Sequence, residues 1–359
     1  MKIFVFGSSL VSSYWNGAAT YYRGIYKNLH RLGHAITFAE PDVYGRQQKR
    51  DVGDIDYATV RVYQTPSQLN MVLAEACAAD LIIKHSGVGA DDEFLEAAVL
   101  DCKARERRVA FWDVDAPATL ARVEENSHDP FRELIPQYDF IFTYGGSDPV
   151  VGHYRRLGAK NCIPIYNGLD PDTHHPVAPD PAVQCDLAFV GHRLPDREKR
   201  VADFFFAAAE KAPQFSFILG GEGWGGRALP RNVCWIGHVG SADHNRINCS
   251  ARMVLNINRE SMAAVGFSPP TRVFEAAGAA ACVVTDEWAG IDRFFRPGKE
   301  ILVARSADDI VHLLSDINRE QSQAIGSAMR RRALREHTYQ LRGLQFQEAL
   351  QSLHAELYA

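Results

Sequence analysis

Cysteine is scarce and unpatterned in this 359-residue chain, with seven residues at 77, 102, 162, 185, 234, 249 and 282 and no Cys-x-x-Cys pair. That excludes a zinc ribbon and a disulfide framework, and the expectation is reduced, mostly buried thiols of a cytoplasmic protein. Apolar runs are short throughout. None approaches the ~20 residues of a membrane helix, so no transmembrane segment is expected. Met1 leads straight into Lys2-Ile3-Phe4-Val5-Phe6, which reads as a strand rather than a secretory leader. Positive charge is not in excess either. Thirty-nine Lys plus Arg face 44 Asp plus Glu for a net charge of −5, so the footprint of a nucleic-acid partner is missing. The one glycine-rich turn near the start, Gly7-Ser8-Ser9, lacks a full Gly-x-Gly-x-x-Gly and argues weakly for a dinucleotide cofactor.

What the chain does have is a repeated alternation of short apolar runs with amphipathic helices, the pattern of parallel α/β structure. Ile3–Phe6, Ile36–Ala39, Leu81–Lys84, Val109–Trp112 and Phe140–Tyr144 read as strands covered on both faces. Between the first two, Tyr22, Ile25, Tyr26, Leu29 and Leu32 share one helical face, and Gly33 ends the helix. The rhythm breaks around Asn167-Gly168-Leu169-Asp170, and a Pro-, Asp- and His-rich stretch through Pro181 reads as a hinge. It then restarts with Leu187–Val190, Phe215–Leu219, Val233–Ile236, Val254–Ile257, Cys282–Thr285 and Ile301–Val303. Phe346, Leu350, Leu353 and Leu357 form one stripe of a terminal helix. The expected organisation is therefore a Rossmann-like domain over 1–166, a second over 167–335, and a helix over 336–359 that packs back on the first. Two such domains face a central cleft at the carboxyl ends of their strands, where α/β folds bind ligands.

The second half holds the densest chemistry. A strand ends at Asn258-Arg259, a loop carries Gly266, and Ser268 before Pro269 reads as a helix start. Free N–H groups at such a helix end suit a diphosphate. Glu275, further along the helix, can accept hydrogen bonds from ribose hydroxyls. Any leaving diphosphate needs positive charge, and Arg193, Arg197 and Arg259, with Gly191 before them, are the candidates, since guanidinium forks onto phosphate oxygens. Trp235, Gly237 and His238 form the loop expected to meet a base. In the first half, His85, Asp113 and Asp115 follow strands and are candidates to accept a proton. Asp113-Val114-Asp115 also spells a metal-binding Asp-x-Asp, but lies in the wrong half for a donor diphosphate. His174, His175 and His192 have no Cys or carboxylate at ligand spacing beside them, so no metal site is expected.

The run from Arg272 to Asp286, RVFEAAGAAACVVTD, resembles the donor-site segment of GT-B glycosyltransferases, and most of all their spore-maturation CgeB-like branch. Asp186–Gly191, Leu219–Trp224, Gly237–Val239, Pro297–Leu302 and the Asn167-Gly168-Leu169-Asp170 hinge resemble further pieces of the same family in the same order. The resemblance implies a GT-B fold and transfer of a sugar from a nucleotide diphosphate sugar, such as a UDP-sugar, to an unidentified glycan, protein or small molecule. It further implies no cofactor or metal, a retaining outcome, diphosphate contacts from Arg193 and Arg197, and ribose contact from Glu275. Many retaining members carry a second Glu at the position that Phe267 holds here. Two other readings stay open from the sequence: a nucleotide-sugar epimerase of the same two-domain layout, and a non-catalytic nucleotide- or carbohydrate-binding protein.

Overall fold

The computed structural model describes residues 1–357, with side chains to 351. It contains two compact units: Met1–Asn167 together with the helix that begins at Tyr339, and Gly168–Thr338.

The first unit is built on a parallel sheet of β1 (Lys2–Phe6), β2 (Ala35–Pro41), β3 (Thr59–Tyr63), β4 (Leu81–His85), β5 (Arg108–Asp113), β6 (Phe140–Thr143) and β7 (Cys162–Pro164). Their order is β3-β2-β1-β4-β5-β6-β7. Two edge strands escape a reading by apolar runs. β3 exposes most of its residues, and β7 is three residues long. The helix Ala19–Arg31 buries Tyr22, Ile25, Tyr26 and Leu29 against this sheet, and Gly33 turns the chain out at φ +89°. A left-handed turn there suits glycine, which has no Cβ to clash.

The C-terminal helix Tyr339–Leu357 belongs to this unit. Tyr339 and Phe346 are fully enclosed, and Phe346 stacks on Trp112 at 5.2 Å and 17°. Gly24 makes the fit possible, because a Cβ there would lie 2.2 Å from the Tyr339 ring. Leu350 packs partly against the same core. The side chains of Leu353 and Leu357 lie outside the described residues.

The second unit repeats the plan with β8 (Cys185–Val190), β9 (Phe217–Gly220), β10 (Val233–Trp235), β11 (Ala251–Asn256), β12 (Val283–Asp286) and β13 (Leu302–Ala304), in the order β10-β9-β8-β11-β12-β13. Its core gathers Leu187, Phe189, Phe205, Leu219, Leu255 and Val284 between sheet and helices. In each sheet the order reverses next to the first strand, between β1 and β4 and between β8 and β11. Such a reversal opens a crevice at the carboxyl ends of the strands. Two Rossmann-like units with parallel sheets are the GT-B architecture expected from the sequence.

One expectation is corrected. Cys77 and Cys102 are joined in a disulfide, with Cα atoms 4.9 Å apart and a sequence separation of 25. Cys77 caps the helix Pro66–Ala76 and Cys102 ends the short turn Val99–Cys102. Only the fold brings those two ends together, so the spacing gave no sign. Among the described residues, no helix is long and apolar enough to cross a membrane.

Candidate active site

The second unit concentrates charge at the carboxyl ends of β8, β11 and β12. Gly191 follows β8, and its carbonyl accepts a hydrogen bond from Trp224 Nε1 at 2.8 Å. Gly221 follows β9 at φ +115°, where a Cβ would lie 2.3 Å from the Gly191 carbonyl oxygen. Its N–H donates to the Gly237 carbonyl at 2.7 Å, and Gly237 itself has φ +73°. Gly221 therefore lets the ends of β8 and β9 close up without a side chain between them, and Gly237 supplies a left-handed turn after β10.

Above this floor stand three arginines. Arg197, on the helix Pro195–Val201, donates from Nη2 to the His192 carbonyl at 2.6 Å, while its Nε is buried without a partner. Burial pulls its pKa down to about 10, and the charges of Arg272 and Arg259 push the same way. Arg272 stands in the first turn of the helix Thr271–Gly278 and forms no ion pair among the described residues. Burial lowers its pKa as well. Arg259 is paired with Asp196 at 2.9 Å. Like charges repel, and neither Arg197 nor Arg272 forms an ion pair among the described residues. Half-buried guanidinium groups held near one another without ion-pair partners suit an anion.

His192 lies in the same field. Its Nδ1 accepts the Glu222 N–H at 3.1 Å, and its ring stacks on His238 with centroids 6.2 Å apart. Burial, then His238, Arg197 and Arg272, lower its pKa, which favours the neutral ring. Trp235 is 38% exposed and fixed by a 2.9 Å bond from Nε1 to the Gly221 carbonyl. It presents a flat apolar surface beside the glycine floor.

Other expected donor residues turn out differently. The charge of Arg193 is matched locally by Glu198 at 2.6 Å. Asn258 holds the strand ends together: its N–H and side-chain amide donate to Asp286, which also pairs with Arg200 at 2.6 Å. Gly266 ends the helix Glu260–Val265 at φ +72°. Ser268 does not start the next helix. Each of Ser268 and Pro269 precedes a proline, which disfavours helical backbone, so Pro270 takes the capping position and the helix begins at Thr271.

Glu275 is buried between two imidazoles. Burial alone would raise its pKa, but His244, then His174 and Arg272, outweigh burial and hold the carboxyl well below the usual range. His244 Nδ1 is 3.3 Å from Glu275 Oε2, off the line a hydrogen bond requires. One ligand-capable atom each of His174, His244 and Glu275 lies within 4.8 Å of the others. The expectation that no carboxylate completes a set around His174 is therefore corrected. Glu275 lies roughly a hundred residues further along, where spacing rules do not reach.

In the first unit His85 is fully enclosed at the end of β4. It bonds to the Tyr26 hydroxyl at 2.5 Å and packs on Tyr22 and Trp112. Burial depresses its pKa to about 3. A core imidazole of this kind cannot reach an acceptor. Asp113 is also buried and accepts from Ser86, Tyr154, Thr119 and the Asp115 N–H, which makes it a brace between loops. Asp115, half-buried at the start of the helix Ala116–Glu125, is the candidate of the three with access to solvent. Sequence reasoning missed Arg272, His192 and His244. Only Arg272 carried a signal, three residues before Glu275 on one helix face.

Comparison with known proteins fits this picture. Residues 197–348 match the family model described as "Glycosyl transferase-like". Sucrose-phosphate synthase from Thermosynechococcus elongatus superposes at TM-score 0.69 with 14% identity, covering 99% of this chain and 100% of that one. Anabaena HepE, solved with UDP and glucose, gives 0.70 with 13% identity over 98% and 100%. An alpha-glucosyltransferase solved with UDP-glucose and DNA gives 0.69 with 12% identity over 97% and 98%. No curated protein sequence matches the chain.

Proposed function

We propose that this chain, which has the GT-B fold, is a glycosyltransferase in which Arg197, Arg272 and Arg259 hold the diphosphate of the nucleotide sugar donor without a divalent ion on the phosphates. The observation that carries this reading is the mutual charge of those three guanidinium groups, two of them outside any ion pair among the described residues. As the sugar C1–O bond breaks, the electron pair and the negative charge go to the nucleoside diphosphate. Fixed cations facing that oxygen stabilise the departure, and they do so most strongly where water is excluded. The acceptor hydroxyl then bonds to C1 and gives up its proton, for which Asp115 is the accessible carboxylate. Glu275 would accept from the ribose hydroxyls. Trp235, Gly237 and His238 would frame the base, for which uracil is the first choice given the UDP found in two structures of the same fold.

The finer placement we favour is the CgeB-like branch with retention of configuration, on the strength of the Arg272–Asp286 segment. The acceptor stays open, and a DNA-bound enzyme of the same fold is a reminder that net charge alone does not choose it.

The test is a thermal-shift series with UDP, GDP, ADP and CDP, each with and without EDTA. A ligand at 100 times its Kd stabilises by about 2.7 kcal/mol. One diphosphate should raise Tm equally in both buffers. A shift that EDTA abolishes and Mg²⁺ restores, or none from any nucleotide, would remove the arginine reading. Formation of an isomerised sugar nucleotide with no acceptor present would instead identify an epimerase.

A further inference from the structure

We propose that His174, His244 and Glu275 bind a single transition-metal ion of the zinc type, at a site that shares only Glu275 with the donor contacts proposed above. Three separate segments meet there: His174 from the Pro- and His-rich stretch after β7, His244 from the start of the helix His244–Ser250, and Glu275 from the helix Thr271–Gly278. One ligand-capable atom of each lies within 4.8 Å of the other two. His174 is 3% exposed, and its Nε2 has no hydrogen-bond partner. Nδ1 of His244 is likewise buried without one, its nearest ionic neighbour being the Glu275 carboxylate. Buried polar atoms almost always find partners. Here two imidazole nitrogens without hydrogen-bond partners lie close to a buried carboxylate, an arrangement that a shared cation would complete.

The chemistry of the donors narrows the ion. Zinc binds imidazole nitrogen and carboxylate oxygen at about 2.0–2.2 Å, which places tetrahedral ligands about 3.4 Å apart. Two neutral imidazoles and one carboxylate supply a single negative charge, and Arg272 sits near enough to act on Glu275. That charge balance disfavours Mg²⁺ and Ca²⁺, which depend on several oxygen donors. Nitrogen-rich donors select Zn²⁺, Co²⁺, Ni²⁺ or Cu²⁺. Three protein ligands leave a further position open, as in zinc sites of the two-His, one-Glu kind. A bound ion would tie the segment after β7 to the helix that carries Arg272, bracing the donor site from behind.

The experiment uses the full chain, stripped with EDTA, dialysed free of chelator and titrated with Co²⁺ in the absence of nucleotide. Visible ligand-field absorption should rise to saturation at one ion per chain, be displaced by Zn²⁺, and be unaffected by excess Mg²⁺. His174→Ala and His244→Ala should each weaken Co²⁺ binding by at least about 100-fold. His175→Ala, an exposed neighbour in sequence, and Cys234→Ser, which removes the exposed thiol, should leave the titration unchanged. Absence of saturable Co²⁺ absorption in the wild-type chain would overturn the proposal whatever the variants do. So would wild-type affinity in both His174→Ala and His244→Ala. No nucleotide enters this titration, so its failure leaves the donor reading standing, and a failed nucleotide screen leaves the metal site standing.

Discussion

Replacing Arg197 by Met should move stability and function in opposite directions. In the folded chain the Arg197 pKa falls from 12.5 to about 10, first through burial and then through Arg272 and Arg259. At roughly 1.4 kcal/mol per tenfold, the charge costs up to about 3 kcal/mol of stability before solvent screening. The substitution also deletes the Nη2 bond to the His192 carbonyl, worth about 1 kcal/mol. Methionine fills similar apolar volume over the Phe189 ring, against which the guanidinium now lies. The nucleotide-free variant should thus be as stable as the wild type or more stable by up to about 2 kcal/mol. Nucleotide binding should suffer instead, because a charge-assisted contact to phosphate is worth about 1.5–3 kcal/mol. Turnover should fall by about 10²–10³, the usual cost of removing one group that stabilises transition-state charge. Urea unfolding without ligand, calorimetric titration with UDP, and single-turnover release of UDP from UDP-glucose measure the three quantities. Wild-type UDP affinity and turnover in Arg197→Met would refute the assignment, as would a ligand-free loss of several kcal/mol.

Three more outcomes follow from the packing. His85→Phe should leave turnover within a few-fold of wild type and flatten the acid limb of the stability curve. A histidine whose folded pKa is depressed contributes stability that is complete above its unfolded value of 6.5 and is lost as pH falls toward about 3, so melting across that window reads the effect directly. Gly221→Ala should cost about 2–4 kcal/mol in urea and abolish UDP binding, since a Cβ at φ +115° would meet the Gly191 carbonyl. Reducing the Cys77–Cys102 bond should destabilise the first unit by about 3 kcal/mol, the chain-entropy value for a loop of this length, and Cys102→Ser should abolish the response of Tm to reductant.

The strands with unbroken apolar runs were legible because burial on both faces leaves no polar residue to confuse them. β3 was not, since most of its residues face solvent. Helix ends marked by glycine, as at Gly33, could be read directly, whereas the start near Ser268 was displaced by two consecutive prolines whose joint effect outweighs a good capping side chain. At the candidate site the arginines stood out through local spacing. What spacing could not give was which of them find carboxylates: Arg193 meets Glu198 and Arg259 meets Asp196, whereas Arg197 forms no ion pair among the described residues. Long-range meetings such as Cys77 with Cys102, or Glu275 with two histidines, depend on the turns of the whole fold and leave no trace in a local window. His85 shows the converse. A polar residue after an apolar run looks functional until the aromatic rings around it are in place.

The chain passes from one unit to the other twice, at Asn167 and again at Thr338, so the second unit is an insertion between two pieces of the first. During synthesis the inserted unit has all its strands in hand before Tyr339 and Phe346 leave the ribosome. The earlier-made sheet must wait, with Trp112 and the groove at Gly24 uncovered, for residues translated more than two hundred positions later. Domains usually mature in the order they are made. Here the part translated first is the part completed last, and its exposed aromatic face is where a nascent chain of this protein would call on a chaperone.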